Sequence, residues 1–291
     1  MSAANPPGAG REERDPPDAG RGERPGPARA RVLVKGAGEQ ASATAHRLFR
    51  CGYRVAMTDL ERPTAIRRTV SFCSAIYQGE IEIEGVRAVR CHAADVAGLP
   101  AGAWTRIPVC VDPRSTLVAM WRPDVVVDAR ILKTNLDNRR DDAPLVIGLG
   151  PGLEAGRDVH FVVETMRGHD LGRVIARGCS SRDTGEPGEI GGYTRERLVR
   201  APAAGVFESA RTIGERLAAG EAIGRVAGAE LRARIGGVLR GLLWPGLEVT
   251  AGFKVADVDP RNDPALCRTL SDKARTISGS VLELVVAHAG R

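Results

Sequence analysis

VLVKGAGEQASATAHRLFRCGYRVAMTDLERP, residues 32–63, is the stretch on which the reading of the whole chain turns. Val32, Leu33 and Val34 predict a short buried strand. Gly36 and Gly38 permit a tight turn and let backbone N–H groups approach an anion at the start of the following helix. Ala41 is a third small position. Ala41, Ala45, Leu48 and Phe49 fall at i, i+4, i+7 and i+8, one apolar helical face, and Gly52 ends the helix. Residues 53–57 predict a second strand, and Asp59 stands where a carboxylate meets ribose hydroxyls in a dinucleotide fold.

Together these residues read G-x-G-x-x-A plus an acid, which predicts a Rossmann-like half able to hold NAD(P) or another phosphate-bearing ligand. A glycine turn that only packs helix on strand is the plainer alternative, and it stays open. In PTAIRRTVSFCSAIYQG, residues 63–79, Ile66, Val70, Cys73 and Tyr77 share one helical face, and the adjacent Arg67 and Arg68 could clamp a phosphate. IEIEGVRAV predicts a hairpin about Glu84 and Gly85. IPVCVD and PDVVVDA predict two further strands, the valine-rich one central. Residues 31–140 are therefore expected to be one Rossmann-like α/β domain.

A second glycine series, Gly148, Gly150 and Gly152 in APLVIGLGPG, could form an anion-binding nest, although it lacks the G-K-[ST] ending of a P-loop. A close-packed turn is an equal reading. VHFVVET places His160 and Glu164 on one face, with His169 and Asp170 just beyond. No metal-ligand spacing is present, so no metal is assigned. His169 and Asp170, in a bent polar loop, are candidates to touch a ligand, as is Lys133, one of four lysines among 42 basic residues. Residues 141–200 are expected to be a β-rich middle packed against the first domain.

From residue 201 the text repeats at an offset of 32: GVF at 205–207 against GVL at 237–239, and LAAGEAIGRV at 217–226 against VTAGFKVADV at 249–258. Short apolar strands between glycine turns, duplicated once, resemble a small biotinyl/lipoyl-type barrel-sandwich, expected over 201–260. Such carriers attach their cofactor to a lysine between the halves, and AGAELRARI at 227–235 has none. Residues 261–291 predict a closing helical segment.

The bulk composition sets limits. Residues 1–30 combine Pro, Gly, Arg and acidic residues without an apolar stretch, the composition of a disordered tail. A formal charge of +6 is scattered, and aromatics are 4% of residues, so no nucleic-acid patch is predicted. No window reaches the roughly 18 apolar residues of a membrane helix. The six cysteines lack any C-x-x-C, which fits reduced thiols and a cytoplasmic location.

With these residues in hand, the chain resembles the YqeB-type proteins of the selenium-dependent molybdenum hydroxylase system. The resemblance is carried by VLVKGAG, IRRTVSF, PDVVVDA, APLVIGLGPG, DVHFVVET, RGHDLGRVI, TGEPGEIGGY, GVLRGLLWPGLEV, DVDPR and SDKAR. It implies an accessory or maturation role toward a molybdenum hydroxylase or its maturation factors, with a nucleotide-like or pterin-phosphate ligand. Glu39 and Met166 depart from that pattern, where Asp and Asn are usual. Two other readings stand beside it: an NAD(P)-dependent oxidoreductase, and a non-catalytic scaffold docking on a partner enzyme. Whether the chain is an enzyme, and whether it forms a homo-oligomer, the sequence leaves open.

Overall fold

The computed structural model describes residues 30–289, so the predicted tail falls, apart from Ala30, outside the described residues. The strands are β1 (Arg31–Lys35), β2 (Arg54–Asp59), β3 (Glu80–Ile83), β4 (Val86–Cys91), β5 (Ile107–Val111), β6 (Val125–Asp128), β7 (Leu145–Leu149), β8 (Glu154–Ala155), β9 (Phe161–Val163), β10 (Val174–Ile175) and β11 (Gly178–Cys179). The helices among and after them are α1 (Glu39–Arg50), α2 (Ser74–Gln78), α3 (Ala93–Gly98), α4 (Leu117–Trp121) and α5 (Asp272–Ala289). Nine strands make one sheet in the order β10-β9-β7-β6-β1-β2-β5-β4-β3. It is mixed: β3 and β10 run antiparallel to their neighbours, and the other pairings are parallel.

Both faces of this sheet are covered, which is why its central strands read as unbroken apolar runs. Val32, Val34, Val55 and Met57 face a core shared with α1 and α5. The alternate residues Leu33, Ala56, Val126 and Val146 face a second core under α4, with Trp104 stacked on Trp121 at 5.3 Å. Alternation at period two supplies both layers from the same strand. In α1, Ala41, Ala45 and Leu48 are fully buried, Glu39 occupies the first turn, and Arg47 and Arg50 the last, as the helix dipole favours. Residues 66–77 do not form one helix: Ser71 is extended (φ −130°, ψ 115°), separating a single 3₁₀ turn from α2.

The remaining strands are β12 (Leu198–Arg200), β13 (Gly205–Glu208), β14 (Arg216–Leu217), β15 (Ala222–Val226), β16 (Ala229–Arg232), β17 (Gly237–Leu242), β18 (Glu248–Val249) and β19 (Lys254–Asp259). They form two four-stranded sheets, β12-β19-β17-β14 and β16-β15-β13-β18. Strands β13, β14 and β15 recur 32 residues later as β17, β18 and β19, and the halves exchange partners: β13 pairs with β18 while β14 pairs with β17. Equivalent turns carry equivalent glycines. Gly220 (φ +84°) donates to Ala233 O at 2.7 Å, and Gly252 (φ +80°) donates to Ala201 O at 2.8 Å.

The predicted fold class, a Rossmann-like N-terminal domain with a β-rich middle and a separate biotinyl/lipoyl-like barrel-sandwich, is corrected by this topology. One large mixed sheet takes in β7, β9 and β10 from the segment expected to form a middle of its own. The reason is local: Val125–Asp128 is buried on both faces and needs a hydrogen-bonded neighbour on each side, which β1 and β7 supply. The β module, likewise, is not a free-standing carrier domain. Leu242 N donates to Ile66 O at 2.7 Å, and Ile66 is part of the module's own core. The closing segment returns to the first layer, where α5 lies along α1.

Candidate functional site: a basic cleft beyond the sheet

Two amides of the predicted glycine turn are already bonded within the protein. Gly36 N donates to Thr58 O at 2.7 Å, and Ala37 N donates to Asp59 Oδ2 at 2.8 Å. The second Asp59 oxygen accepts Leu60 N at 2.8 Å, so this carboxyl binds the protein's own amides, and burial pushes its pKa up. Above the turn lies the IRRTVSF segment. Cys73 N donates to Ala37 O at 2.9 Å, and Phe72 N donates to Ser42 Oγ at 2.7 Å. Gly36 (φ +93°) also has Arg130 against it, 3.1 Å from where a Cβ would lie. Gly38 is the N-cap of α1, with Ala65 as its nearest neighbour at 4.0 Å.

The second glycine series is also packed internally. A Cβ on Gly148 would run into Leu153, one on Gly152 into the Leu132 carbonyl, and Gly150 (φ +89°) lies against Ile131 and Thr165. Lys133 is exposed and pairs with Asp183 at 3.1 Å. His169 and Asp170 are exposed on the turn after β9, and Asp170 pairs with Arg173 at 3.5 Å. His160 Nδ1 accepts Val146 N at 3.0 Å, a strand-to-strand bond that needs the neutral ring; burial and Arg140 lower its pKa. No cluster of three or more metal-type ligands occurs among the described residues.

Arg67 and Arg68 point apart. Arg68 lies over the Trp244 ring at 4.3 Å, beside Tyr77, whose hydroxyl donates to Pro63 O at 2.9 Å. Arg67 turns into a cleft of about 480 Å³. One wall of the cleft follows the carboxyl ends of parallel strands, where ligands of open α/β sheets gather: Glu39 after β1, Ile131 after β6, Pro151 after β7 and Glu164–Arg167 after β9. Arg240, Lys254 and Asp257 of the β module form the other wall. The loop at 181–190 and the start of α5, with Ser271 and Lys273, close the ends. Neither Gly36, Gly38 nor Asp59 lines it.

The electrostatics of the cleft are uneven. Arg197 pairs with Asp257, Arg240 with Asp259 at 3.1 Å, and Arg167 is bidentate to Asp272 at 2.6 and 2.7 Å. The last pair holds the Asp272 carboxyl well below the usual range. Burial pushes the Glu164 carboxyl up, but N–H donors from Met166, Ser181 and Thr165 outweigh it and bring it down. Lys254 and Lys273 have neither an ion pair within 4 Å nor a hydrogen bond from the side chain among the described residues. Burial lowers both ammonium pKa values, and Arg167 adds to the effect at Lys273. Among the described residues Arg67, 7% exposed, leaves Nε and Nη1 without partners, and Nε of Arg197 and Nε of Arg240 are likewise unpartnered. Two unpaired ammoniums beside under-satisfied guanidiniums give an anion-attracting cleft.

Sequence reasoning reached Arg67 and Glu164 but missed Lys254, Lys273, Arg197 and Arg240. One signal was present. Lysine is so rare in this chain that the argument singling out Lys133 applies equally to Lys254 and Lys273.

No family model matches the sequence. The uncharacterized protein YqeB of Escherichia coli (strain K12) is 44% identical over 261 residues, 89% of this chain and 48% of YqeB. The chain thus spans about half the length of that relative. This likeness supports the YqeB-type resemblance and says nothing of selenium or molybdenum. Among solved structures, the product-bound ectoine utilization protein EutE (DoeB) from Ruegeria pomeroyi is 14% identical over 79% of this chain and 85% of its own, with a TM-score of 0.25. A succinylglutamate desuccinylase/aspartoacylase from Rhodobacter sphaeroides is 16% identical over 80% and 86%, with a TM-score of 0.26. Likenesses of this size carry no argument about ligand or activity, and the correction to the fold rests on the sheet order.

Proposed function

We propose that this chain binds a small phosphate-bearing ligand in the basic cleft, and that it does so as an accessory or maturation protein for a molybdenum hydroxylase. The setting comes from the YqeB-type resemblance, and the ligand class from the cleft. The observation that carries the reading is the pair Lys254 and Lys273, two partly buried ammoniums with no ion pair within 4 Å among the described residues, in one cavity with Arg67. An ammonium taken out of water without a partner is unfavourable, and an arriving phosphate removes that cost. A dinucleotide held at the Gly36 turn for hydride transfer is not retained, because the Gly36 and Ala37 amides are already bonded within the protein.

Calorimetric titration of the full chain with inorganic pyrophosphate tests this. Binding should weaken by about tenfold, about 1.4 kcal/mol, for Lys254→Met or Lys273→Met, and should fall as salt rises. Absence of binding, or binding indifferent to both substitutions, overturns the proposal.

A further inference from the structure

A second cavity, of about 430 Å³, lies beside the first. The two share Arg67, Arg167, Ile190, Arg240 and Ser271, so the partition between them is built largely of guanidinium groups. Two of these, Arg67 and Arg240, are 7% exposed and keep unpartnered nitrogens. The far ends differ in chemistry. Beyond the partition the first cavity is lined by Lys254 and Lys273, which have no ion pair within 4 Å among the described residues, and by carboxylates that include Glu39, Glu164 and Asp257. The second ends in Glu189, Thr269, Leu266 and Leu270, and its further cation, Arg261, is neutralised by a bidentate pair with Asp259 at 2.6 and 2.9 Å.

We infer that the two cavities are subsites for one elongated ligand, a two-headed phosphoanhydride whose bridging phosphates sit at the arginine partition. This rests on the phosphate-binding reading above and names the ligand class. The diphosphate carries the negative charge, which the partition guanidiniums and the two lysines of the first cavity match, and the head in that cavity is an uncharged, hydroxylated group facing its carboxylates. The head in the second is neutral and hydroxylated: Glu189 accepts its hydroxyls, Thr269 exchanges a hydrogen bond, and the two leucines cover its apolar face. Among the described residues no aromatic side chain lines either cavity. The heads are therefore held by hydrogen bonds and aliphatic contact rather than by ring stacking.

Three probes separate the possibilities by calorimetry on the full chain at one salt concentration: inorganic pyrophosphate, AMP and ADP-ribose. ADP-ribose, which bridges both cavities, should bind at least tenfold more tightly than either of the others. Thr269→Trp, which fills the second cavity from an exposed position, should reduce ADP-ribose to the level of pyrophosphate and leave pyrophosphate unchanged. ADP-ribose no tighter than pyrophosphate, or undisturbed by Thr269→Trp, overturns the two-subsite inference while leaving the phosphate site standing. If pyrophosphate itself does not bind, the phosphate-binding reading falls, and this inference with it.

Discussion

The turn at Lys35–Gly38 and the cleft around Lys254 and Lys273 both place positive charge and backbone amides near the carboxyl ends of strands, yet they are opposite in state. Lys35 is 1% exposed and donates to Asn138 Oδ1 at 3.1 Å and to Asp142 Oδ2 at 3.4 Å, with Asp137 a further 3.8 Å away. Asp128, also 1% exposed, accepts from Arg130 at 2.7 Å and from Asn138. Every charge in this network has a counter-charge. In the cleft the cations outnumber their partners. A region whose polar groups are matched within the chain contributes to stability, and one left unmatched is available to a ligand.

The sharpest way to break that contrast is to unbalance the matched side. Asp128→Ala leaves Arg130 and the Asn138 amide short of a buried acceptor and should cost about 3–5 kcal/mol in denaturant unfolding. A loss under 1 kcal/mol would mean water enters the network, and the two regions are less different than described.

Binding gives the next largest effect. With both cleft lysines replaced by methionine, pyrophosphate affinity should drop by about a hundredfold if the two contributions add. Gly38→Ala should leave affinity unchanged, since φ there is −70° and the nearest atom to an added Cβ is 4.0 Å away. If the glycine variant instead abolishes binding, the turn is the site and the cleft is not.

A smaller test uses pH. Burial lowers the folded-state pKa of Lys254 below its unfolded value of 10.5. Below the lowered pKa the lysine is charged in both states, and its full unfavourable contribution is present. As pH rises from that value toward 10.5 the unfolded chain binds more protons than the folded one, so stability increases. Lys254→Met should therefore melt higher than the parent at neutral pH, with the gap closing as pH approaches 10.5. A constant gap would argue that the ammonium is well solvated.

The smallest effects probe the internal repeat. Gly220→Ala and Gly252→Ala impose the same left-handed strain with no nearby atoms to add to it. Each should cost about 1–3 kcal/mol, and the two should agree within about 0.5 kcal/mol. Unequal losses would show that the halves bear load differently.

What could be read from the sequence follows the range of the interactions involved. The strand and helix of residues 32–50, the hairpin at Glu84–Gly85 and the offset of 32 are set by local periodicity and turn chemistry, and the structure has them. The joining of β7 and β9 to β6 depends on hydrogen bonds between strands with no local signature. The glycine turn misled for a related reason: G-x-G-x-x-A describes a backbone that can meet phosphate, but the residues that cover it, Phe72 and Cys73, lie some 30 positions further on. The cleft is assembled from β9, β17, β19 and α5, so spacing along the chain could not reveal it.

Helix α5 completes the layer begun by α1: Ile277, Val281 and Leu284 share a core with Ala41, Ala45 and Leu48, and Ser271 N donates to Glu39 Oε1 across 232 residues. On the ribosome, α1 therefore waits with its apolar flank bare while everything between is translated. A nascent chain halted before residue 271 should recruit hydrophobic-surface chaperones, and release of α5 from the exit tunnel should end that association.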